Sequence, residues 1–124
     1  MIHLDTSFLI RALVAGSPQD QRMRGWLEAG EPLGMSAVAW AEFLGGAVEP
    51  SVAELVVRIV SKRTPFAEKD AALAARLFNE SGRRRGSLAD CMIAAASIHA
   101  RAPLATENAR DFRRFQPAGL QMAS

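Results

Sequence analysis

The sequence predicts an α/β fold, in which a parallel sheet of four to five short strands is sandwiched by helices. Short apolar runs typical of strands alternate along the chain with longer helical segments. This alternation is typical of a parallel sheet, because each parallel strand is reached through a crossover, usually a helix. The chain has 124 residues, 49% of them hydrophobic, so we expect a single domain over residues 1–124 with one core.

The individual elements follow from local patterns. The expected strands are residues 2–5, 33–36, 64–66, 102–106 and 120–122. The expected helices are residues 6–15, 18–29, 37–44, 52–60, 68–79, 88–99 and 109–115. Gly16 ends the first helix, whereas Ser17, Pro18 and Asp20 supply the N-cap, the first-turn proline and the third-position acid of the second. Ser87 is the expected N-cap of the helix over residues 88–99.

Two further signals complete the prediction. Ser51 and Glu54 form a capping-box pattern before the helix over residues 52–60, and the spacing of apolar residues makes 68–79 amphipathic. Ligand sites in folds of this kind lie beyond the carboxyl ends of the strands. Asp5, at the end of the first strand, is expected at that edge.

The formal net charge of +2 is unevenly distributed. Residues 1–80 carry eight Lys or Arg and ten Asp or Glu, whereas residues 81–124 carry seven Arg and three acids. The clustered arginines of this second part are Arg83, Arg84, Arg85, Arg110, Arg113 and Arg114. Guanidinium groups bind phosphates through bidentate contacts, so these side chains are candidates for nucleic-acid binding. A solvated surface without a ligand is the alternative.

Several classes of protein are disfavoured by composition. Cys91 is the only cysteine, which excludes an internal disulfide and a cysteine-rich zinc site. The uncharged stretches are too short and too polar for membrane spans, and the N-terminus lacks the pattern of a secretory signal. We therefore expect a cytoplasmic protein with no membrane contact. His3 and His99 lie in apolar surroundings and are expected to be packed side chains rather than metal ligands.

Three acids each stand alone in an apolar segment. Asp5 ends the first strand, Glu42 is the only charge in residues 32–48, and Asp90 is the only formal charge in residues 86–100. A buried carboxylate costs several kcal/mol unless it is compensated, and none of the three has Lys or Arg at helix-neighbour spacing. If they converge, a divalent cation with oxygen ligands, Mg²⁺ or Mn²⁺, is the simplest compensation. Glu42 can instead lie on a helix surface.

Helix capping offers another explanation for some of these acids. Asp90 lies three residues after Ser87, and Asp111 three after Asn108, which is the spacing of ordinary capping acids. Asp5 can likewise be an N-cap that turns the chain from strand to helix. Capping and metal binding are compatible, so both interpretations stay open at this point.

Four segments of the sequence resemble PIN-domain ribonucleases of the VapC type, which are toxins of type II toxin–antitoxin pairs. The segments are LDTSFLI, SAVAWAEFLGG, RRRGSLADCMIAAAS and PLATENARDFRRF. They occur in the family's order and spacing over residues 1–115. The resemblance implies a metal-dependent endoribonuclease that hydrolyses RNA phosphodiester bonds with a metal-activated water.

The resemblance also implies an acidic pocket that binds Mg²⁺ or Mn²⁺ and carries out catalysis. Its residues here would be Asp5, Glu42, Asp90 and Asp111, with Asn108 or Glu107 as alternatives for the fourth position. Supporting contacts would come from Thr6, Ser7, Thr106 and Asn108, which orient the carboxylates. The hydroxyls can equally be helix caps.

The partners implied by the resemblance are an RNA substrate, a VapB-like antitoxin that covers the pocket, and a second copy in a homodimer. Two other functions remain open. One is a non-catalytic PIN-like domain that binds RNA or a protein. The other is a receiver-like signalling domain, which is disfavoured because Asp5 has no neighbouring acid and Lys62 and Lys69 are the only lysines.

Overall fold

A four-stranded parallel sheet forms the centre of the computed structural model, which describes residues 1–84 and 87–124. The strands are β1 (Ile2–Leu4), β2 (Leu33–Ser36), β3 (Lys62–Thr64) and β4 (Leu104–Ala105). Their order in the sheet is β3-β2-β1-β4, and every neighbouring pair is parallel. β1 and β2 are buried along their whole length, as expected for strands covered on both faces. The predicted fold class is confirmed.

Helices connect the strands and follow the last one. In the described part of the chain they are α1 (Thr6–Ala12), α2 (Pro18–Glu28), α3 (Ala37–Leu44), α4 (Pro50–Ile59), α5 (Glu68–Glu80), α6 (Leu88–Ala100) and α7 (Ala109–Phe112). A 3-10 helix over Arg113–Ala118 follows α7. None of the described helices has the length and apolar character needed to cross a membrane.

The start of α2 and the bounds of β2 and α3 agree with the sequence prediction. Ser17 Oγ accepts a hydrogen bond from the backbone N–H of Asp20 at 2.9 Å. The same hydroxyl donates to the carbonyl of Arg11 at 2.7 Å, within the last turn of α1. This contact accompanies an earlier end of α1, at Ala12 instead of residue 15.

One predicted cap is wrong, and another is confirmed in position but lacks the cap hydrogen bond. α4 begins at Pro50 with Glu49 at the N-cap position, so Ser51 and Glu54 do not form a capping box. Proline is favoured at the first helical position because its missing N–H is not needed there. Ser87 occupies the N-cap position of α6, but its side chain donates to the carbonyl of Arg84 instead of capping the helix.

Several other predicted elements differ in extent, and the strand over residues 102–106 is one of them, since β4 covers only Leu104–Ala105. β3 covers residues 62–64 instead of 64–66, because Pro65 has no N–H to donate to the sheet. The fifth strand is reduced to a single bridge between Leu104 and Met122. The helix over residues 109–115 is divided, since α7 gives way to the 3-10 helix.

Side chains from every layer meet in one core. Its largest fully buried side chains include Phe8, Ile93, Phe112 and Phe115. A polar contact also links α5 to α6, where Nδ1 of His99 lies 2.5 Å from Oδ1 of Asp70. The hydrogen bond from the Ala67 N–H and this contact hold the pKa of Asp70 below its usual range, although burial opposes them.

His3 is a packed polar side chain inside β1, and only 1% of it is exposed. Its Nδ1 lies 3.1 Å from Ser97 Oγ, and its Nε2 lies 3.2 Å from Thr64 Oγ1. Burial, together with the nearby N-terminal ammonium group, lowers the pKa of His3 to about 4. The folded protein therefore keeps this imidazole neutral under mildly acidic conditions.

We expect the free energy of unfolding to fall as pH is lowered from 6.5 to 4, because the unfolded chain binds a proton at His3 in this range. The difference between the two pKa values corresponds to about 3 kcal/mol. Urea unfolding at several pH values measures the loss. His3→Asn is expected to flatten the pH dependence of the free energy of unfolding. His99→Gln is the control and is expected to retain the contribution of His3 to this pH dependence. Equal pH dependence in the parent and His3→Asn would contradict the prediction.

Candidate active site

Asp5 lies at the carboxyl edge of the sheet, directly after β1. Its backbone is extended, with φ −81° and ψ 152°, and its N–H donates to the carbonyl of Ala105 at the end of β4. Because β1 and β4 are parallel neighbours, Thr106 lies at the same edge as Asp5. Only 4% of Asp5 is exposed.

One oxygen of the Asp5 carboxylate is held by two hydroxyls. Oδ2 accepts hydrogen bonds from Ser7 Oγ at 2.7 Å and from Thr106 Oγ1 at 2.8 Å. Ser7 Oγ in turn accepts from the backbone N–H of Glu107, and Thr106 Oγ1 accepts from the N–H of Asn108, both at 3.0 Å. The network fixes the carboxylate and leaves Oδ1 without a donor among the described residues.

Glu42 approaches this edge from the second turn of α3. Thr6 connects α1 to α3, since its hydroxyl donates to the carbonyl of Ala39 at 2.9 Å. Burial raises the pKa of Glu42, and the nearby Thr6 hydroxyl opposes this effect. Thr6 thus lies beside the second acid, although its proton is donated to the backbone of α3.

The structure places Asp5, Glu42 and Asp90 within electrostatic reach of one another, and Asp111 within reach of Asp90. Partial burial raises the pKa of Glu42, and the nearby charges of Asp5 and Asp90 raise it further. Partial burial also raises the pKa of Asp90, with added contributions from Asp5 and Asp111. The group therefore carries negative charge that its own members do not compensate.

Helix capping explains where some of these acids lie along the chain, but the expected cap hydrogen bonds are absent at the N-caps of α1, α6 and α7. Asp5, Ser87 and Asn108 occupy the N-cap positions of α1, α6 and α7, and none of these side chains makes a cap hydrogen bond. Asp90 and Asp111 lie in the first turns of α6 and α7, where the helix dipole favours an acid. Of the alternatives for the fourth position, Asp111 is the one that raises the pKa of Asp90.

Glu107 and Asn108 contribute mainly through their backbone. The Glu107 side chain is exposed and hydrogen-bonds Nε2 of Gln19 at the start of α2. Asn108 is exposed as well, and its N–H is the donor to Thr106. The contact with Gln19 was not predictable from spacing, because it joins the start of α2 to a loop far along the chain.

The clustered arginines have different surroundings. Arg83 has a positive φ of 56° and turns towards α5, where its guanidinium lies 5.8 Å from the Phe78 ring centroid and donates to Asn79 Oδ1 at 3.3 Å. Arg113 is exposed on the 3-10 helix. Arg85 lies outside the described residues, so its predicted RNA contact stays a prediction.

Two other arginines approach the acids instead. The charges of Arg114 and Arg84 lower the pKa of Asp90, against the larger effects of burial and neighbouring acids. Arg84 and Arg110 line a cavity of about 530 Å³, together with Asp111, Glu107 and Asn108. Sequence spacing missed this compensation of Asp90, because Arg84 precedes α6 outside helix-neighbour spacing and Arg114 comes from a distant segment of the chain.

The donor set fits a hydrated divalent cation. Within the described residues, no three His, Cys, Asp or Glu side chains lie close enough to surround a metal ion by themselves. Mg²⁺ typically keeps several waters and takes only one or two carboxylates together with substrate phosphates. An all-oxygen group with raised pKa values at Glu42 and Asp90 is suited to such an ion. The metal role of the four acids remains a prediction.

Asp90→Asn is expected to raise the melting temperature in EDTA at neutral pH. The raised pKa of Asp90 means that its ionised form is less favourable in the folded protein than in the unfolded chain. Thermal unfolding followed by circular dichroism measures the change. Glu54→Gln, on the exposed surface of α4, is the matched control and is expected to shift the melting temperature less. A lower melting temperature for Asp90→Asn would contradict the prediction.

A comparison with known protein families identifies the family of this chain. A family model described as PIN domain matches residues 2–116, which include all four acids. The chain belongs to the PIN domain family. Membership confirms the PIN-domain resemblance of the four sequence segments and argues against the receiver-like alternative. No curated protein matches the PIN chain significantly.

Several solved structures have a similar fold. One of them is VapBC2 from Rickettsia felis, which was solved with a bound DNA fragment from the VapBC2 promoter. It matches at TM-score 0.78 and 20% identity, covering 99% of this PIN chain and 98% of that chain. VapBC-1 from nontypeable Haemophilus influenzae matches at TM-score 0.77 and 23% identity, covering 100% and 98%. FitAcB from Neisseria gonorrhoeae matches at TM-score 0.72 and 23% identity, covering 100% and 97%. These similarities establish the fold.

Proposed function

We propose that this PIN domain is a metal-dependent endoribonuclease and the toxin of a type II toxin–antitoxin pair. The observation that carries the proposal is the grouping of Asp5, Glu42, Asp90 and Asp111 at the carboxyl edge of the sheet. The family membership and the toxin–antitoxin complexes with a similar fold support the same function.

The chemistry is hydrolysis of an RNA phosphodiester bond. Mg²⁺ or Mn²⁺ held by the four acids would lower the pKa of a bound water and offset charge on the phosphate. Asp5 is kept in one orientation by Ser7 and Thr106, and a carboxylate of the group accepts the proton of the attacking water. Arg84 and Arg110 bind phosphates beside the acids and so position the strand.

The partners proposed are an antitoxin and a second copy of the chain. An active ribonuclease in the cytoplasm would cleave the RNA of its own cell, so an inhibitor is required. An arginine of a VapB-like antitoxin, placed among the four acids, would neutralise them as a cation does. Exposed apolar side chains on α4, Leu55 and Val57, are available for a homodimer.

The test is cleavage of end-labelled total cellular RNA by the purified protein, freed of any antitoxin. We expect discrete fragments with Mg²⁺ or Mn²⁺, and none with EDTA or with Asp90→Asn. Glu54→Gln is the matched control and is expected to give the parent's fragments. Cleavage that persists in EDTA, or with Asp90→Asn at the parent's rate, would contradict the proposal.

A second candidate is a PIN domain that binds RNA without cleaving it. It is favoured by the lack of a cluster of three metal ligands among the described residues. Folded protein that binds RNA in the presence of Mg²⁺ or Mn²⁺, and leaves it intact, would establish this candidate in place of the first.

A further inference from the structure

A cavity of about 560 Å³ lies between the end of α5 and the 3-10 helix, outside the group of four acids. Three arginines line it, Arg76, Arg84 and Arg114, together with Ser81 and one acid, Glu80. Arg76 lies 3.6 Å from Glu80 in an exposed ion pair along α5. The lining therefore carries three positive charges and one negative charge, and an anion is complementary to this excess, although Arg84 and Arg114 also act on Asp90 nearby.

Arg114 is the decisive side chain of this cavity. Its Nε and Nη1 are buried, and neither reaches a hydrogen-bond acceptor among the described residues. The guanidinium lies over the Phe115 ring, 4.6 Å from its centroid, which holds it in place. Buried donors that lack an acceptor are costly, and an anion in the cavity would offset this cost through the charge of the guanidinium.

The cavity adjoins the acids through Arg84. This side chain lines the Arg114 cavity and also the cavity that contains Asp111 and Asn108. A polyanion bound at the acids can therefore continue past Arg84 towards Arg114. RNA is a ligand of this kind, because it carries one phosphate at every nucleotide.

We propose that the Arg114 cavity binds a backbone phosphate of the RNA strand, next to the phosphate that is cut. This inference rests on the proposed function and adds a subsite to it. Arg114 supplies a positive charge that Phe115 holds in place, Arg84 joins the two sites, and Arg76 and Ser81 complete the lining. The subsite determines on which side of the acids the RNA strand continues. It recognises the charge of the phosphate and not the identity of the base.

The test scans a fluorescent single-stranded RNA of twelve nucleotides, in which methylphosphonates neutralise one phosphate at a time. Binding is measured in EDTA, so that the RNA stays intact. For the parent we expect one position at which neutralisation weakens binding about tenfold, as loss of a charged hydrogen bond does. With Arg114→Gln that position is expected to lose its effect, and the salt dependence of binding to become shallower by about 0.7 in slope.

Arg58→Gln is the matched control, because it removes the same charge from an exposed residue of α4 that does not line the cavity. It is expected to keep the position-specific effect of the methylphosphonate. If Arg114→Gln does not fold, Arg76→Gln carries the test, since Arg76 is exposed and lines the same cavity. An unchanged scan with a folded cavity variant overturns the inference.

The scan also separates the subsite from the proposed function. A position-specific effect without metal-dependent cleavage would retain the subsite and overturn the nuclease function. Metal-dependent cleavage with no sensitive position in the scan would retain the nuclease function and overturn the subsite.

Discussion

Asp5→Asn is expected to slow RNA cleavage by at least about 100-fold while the protein stays folded. Loss of a supporting contact to a metal ligand typically costs about 10–100-fold, so loss of a ligand charge is expected to cost more. The amide oxygen of asparagine can still accept from Ser7 and Thr106, which bond the carboxylate in the parent. The charge is removed, whereas most of the geometry is kept.

Single-turnover cleavage over a range of Mg²⁺ concentrations measures this effect. If Asp5 attracts the cation, the variant is expected to need more Mg²⁺ for half of its maximal rate, besides being slower. Glu54→Gln lies on α4 away from the acids and controls for removal of a carboxylate elsewhere. A folded Asp5→Asn protein within about threefold of the parent's rate would remove Asp5 from the site.

Local patterns were sufficient to predict the place of Asp5. A short apolar strand followed by a helix puts the connecting residue at the carboxyl edge of a parallel sheet, and Asp5 lies there with 4% exposure. The cap at Ser17 was equally predictable, because a Ser-Pro-x-Asp sequence combines several helix-start signals within four residues.

Contacts between distant segments were not predictable in this way. Arg83 and Arg84 are adjacent in the sequence, but the left-handed backbone of Arg83 turns it towards Phe78, whereas Arg84 approaches Asp90. Arg114 reaches Asp90 from the 3-10 helix, which the sequence predicts only as part of a longer α-helix. Which arginines act on the acids depends on tertiary packing rather than on spacing.

The hydroxyls of Ser7 and Thr106 also depend on contacts that the sequence alone does not predict. Sequence alone left Ser7 and Thr106 equally plausible as helix caps, since Ser and Thr are preferred at such positions. Their shared contact with Asp5 exists because β1 and β4 are neighbours in the sheet, although they lie at opposite ends of the chain. The strand order thus brings Thr106 next to Ser7, so that both hydroxyls donate to the Asp5 carboxylate.

Thr106→Val and Ser7→Ala are each expected to slow cleavage by about 10–100-fold, because each removes one hydrogen bond to Asp5 Oδ2. The double variant is expected to lose less than the product of the two single effects, since both hydroxyls hold the same oxygen. Single-turnover rates of the parent, the two single variants and the double variant give the coupling directly.

Thr106→Ser distinguishes orientation of Asp5 from simple packing, because serine keeps the hydroxyl and loses the methyl group. It is expected to recover most of the activity lost in Thr106→Val. Ser61→Ala, which removes an exposed hydroxyl outside the site, is expected to leave the rate unchanged. If Thr106→Ser is as slow as Thr106→Val, Thr106 acts through its methyl group. The orientation of Asp5 would then depend on Ser7 and on the backbone at the ends of β1 and β4.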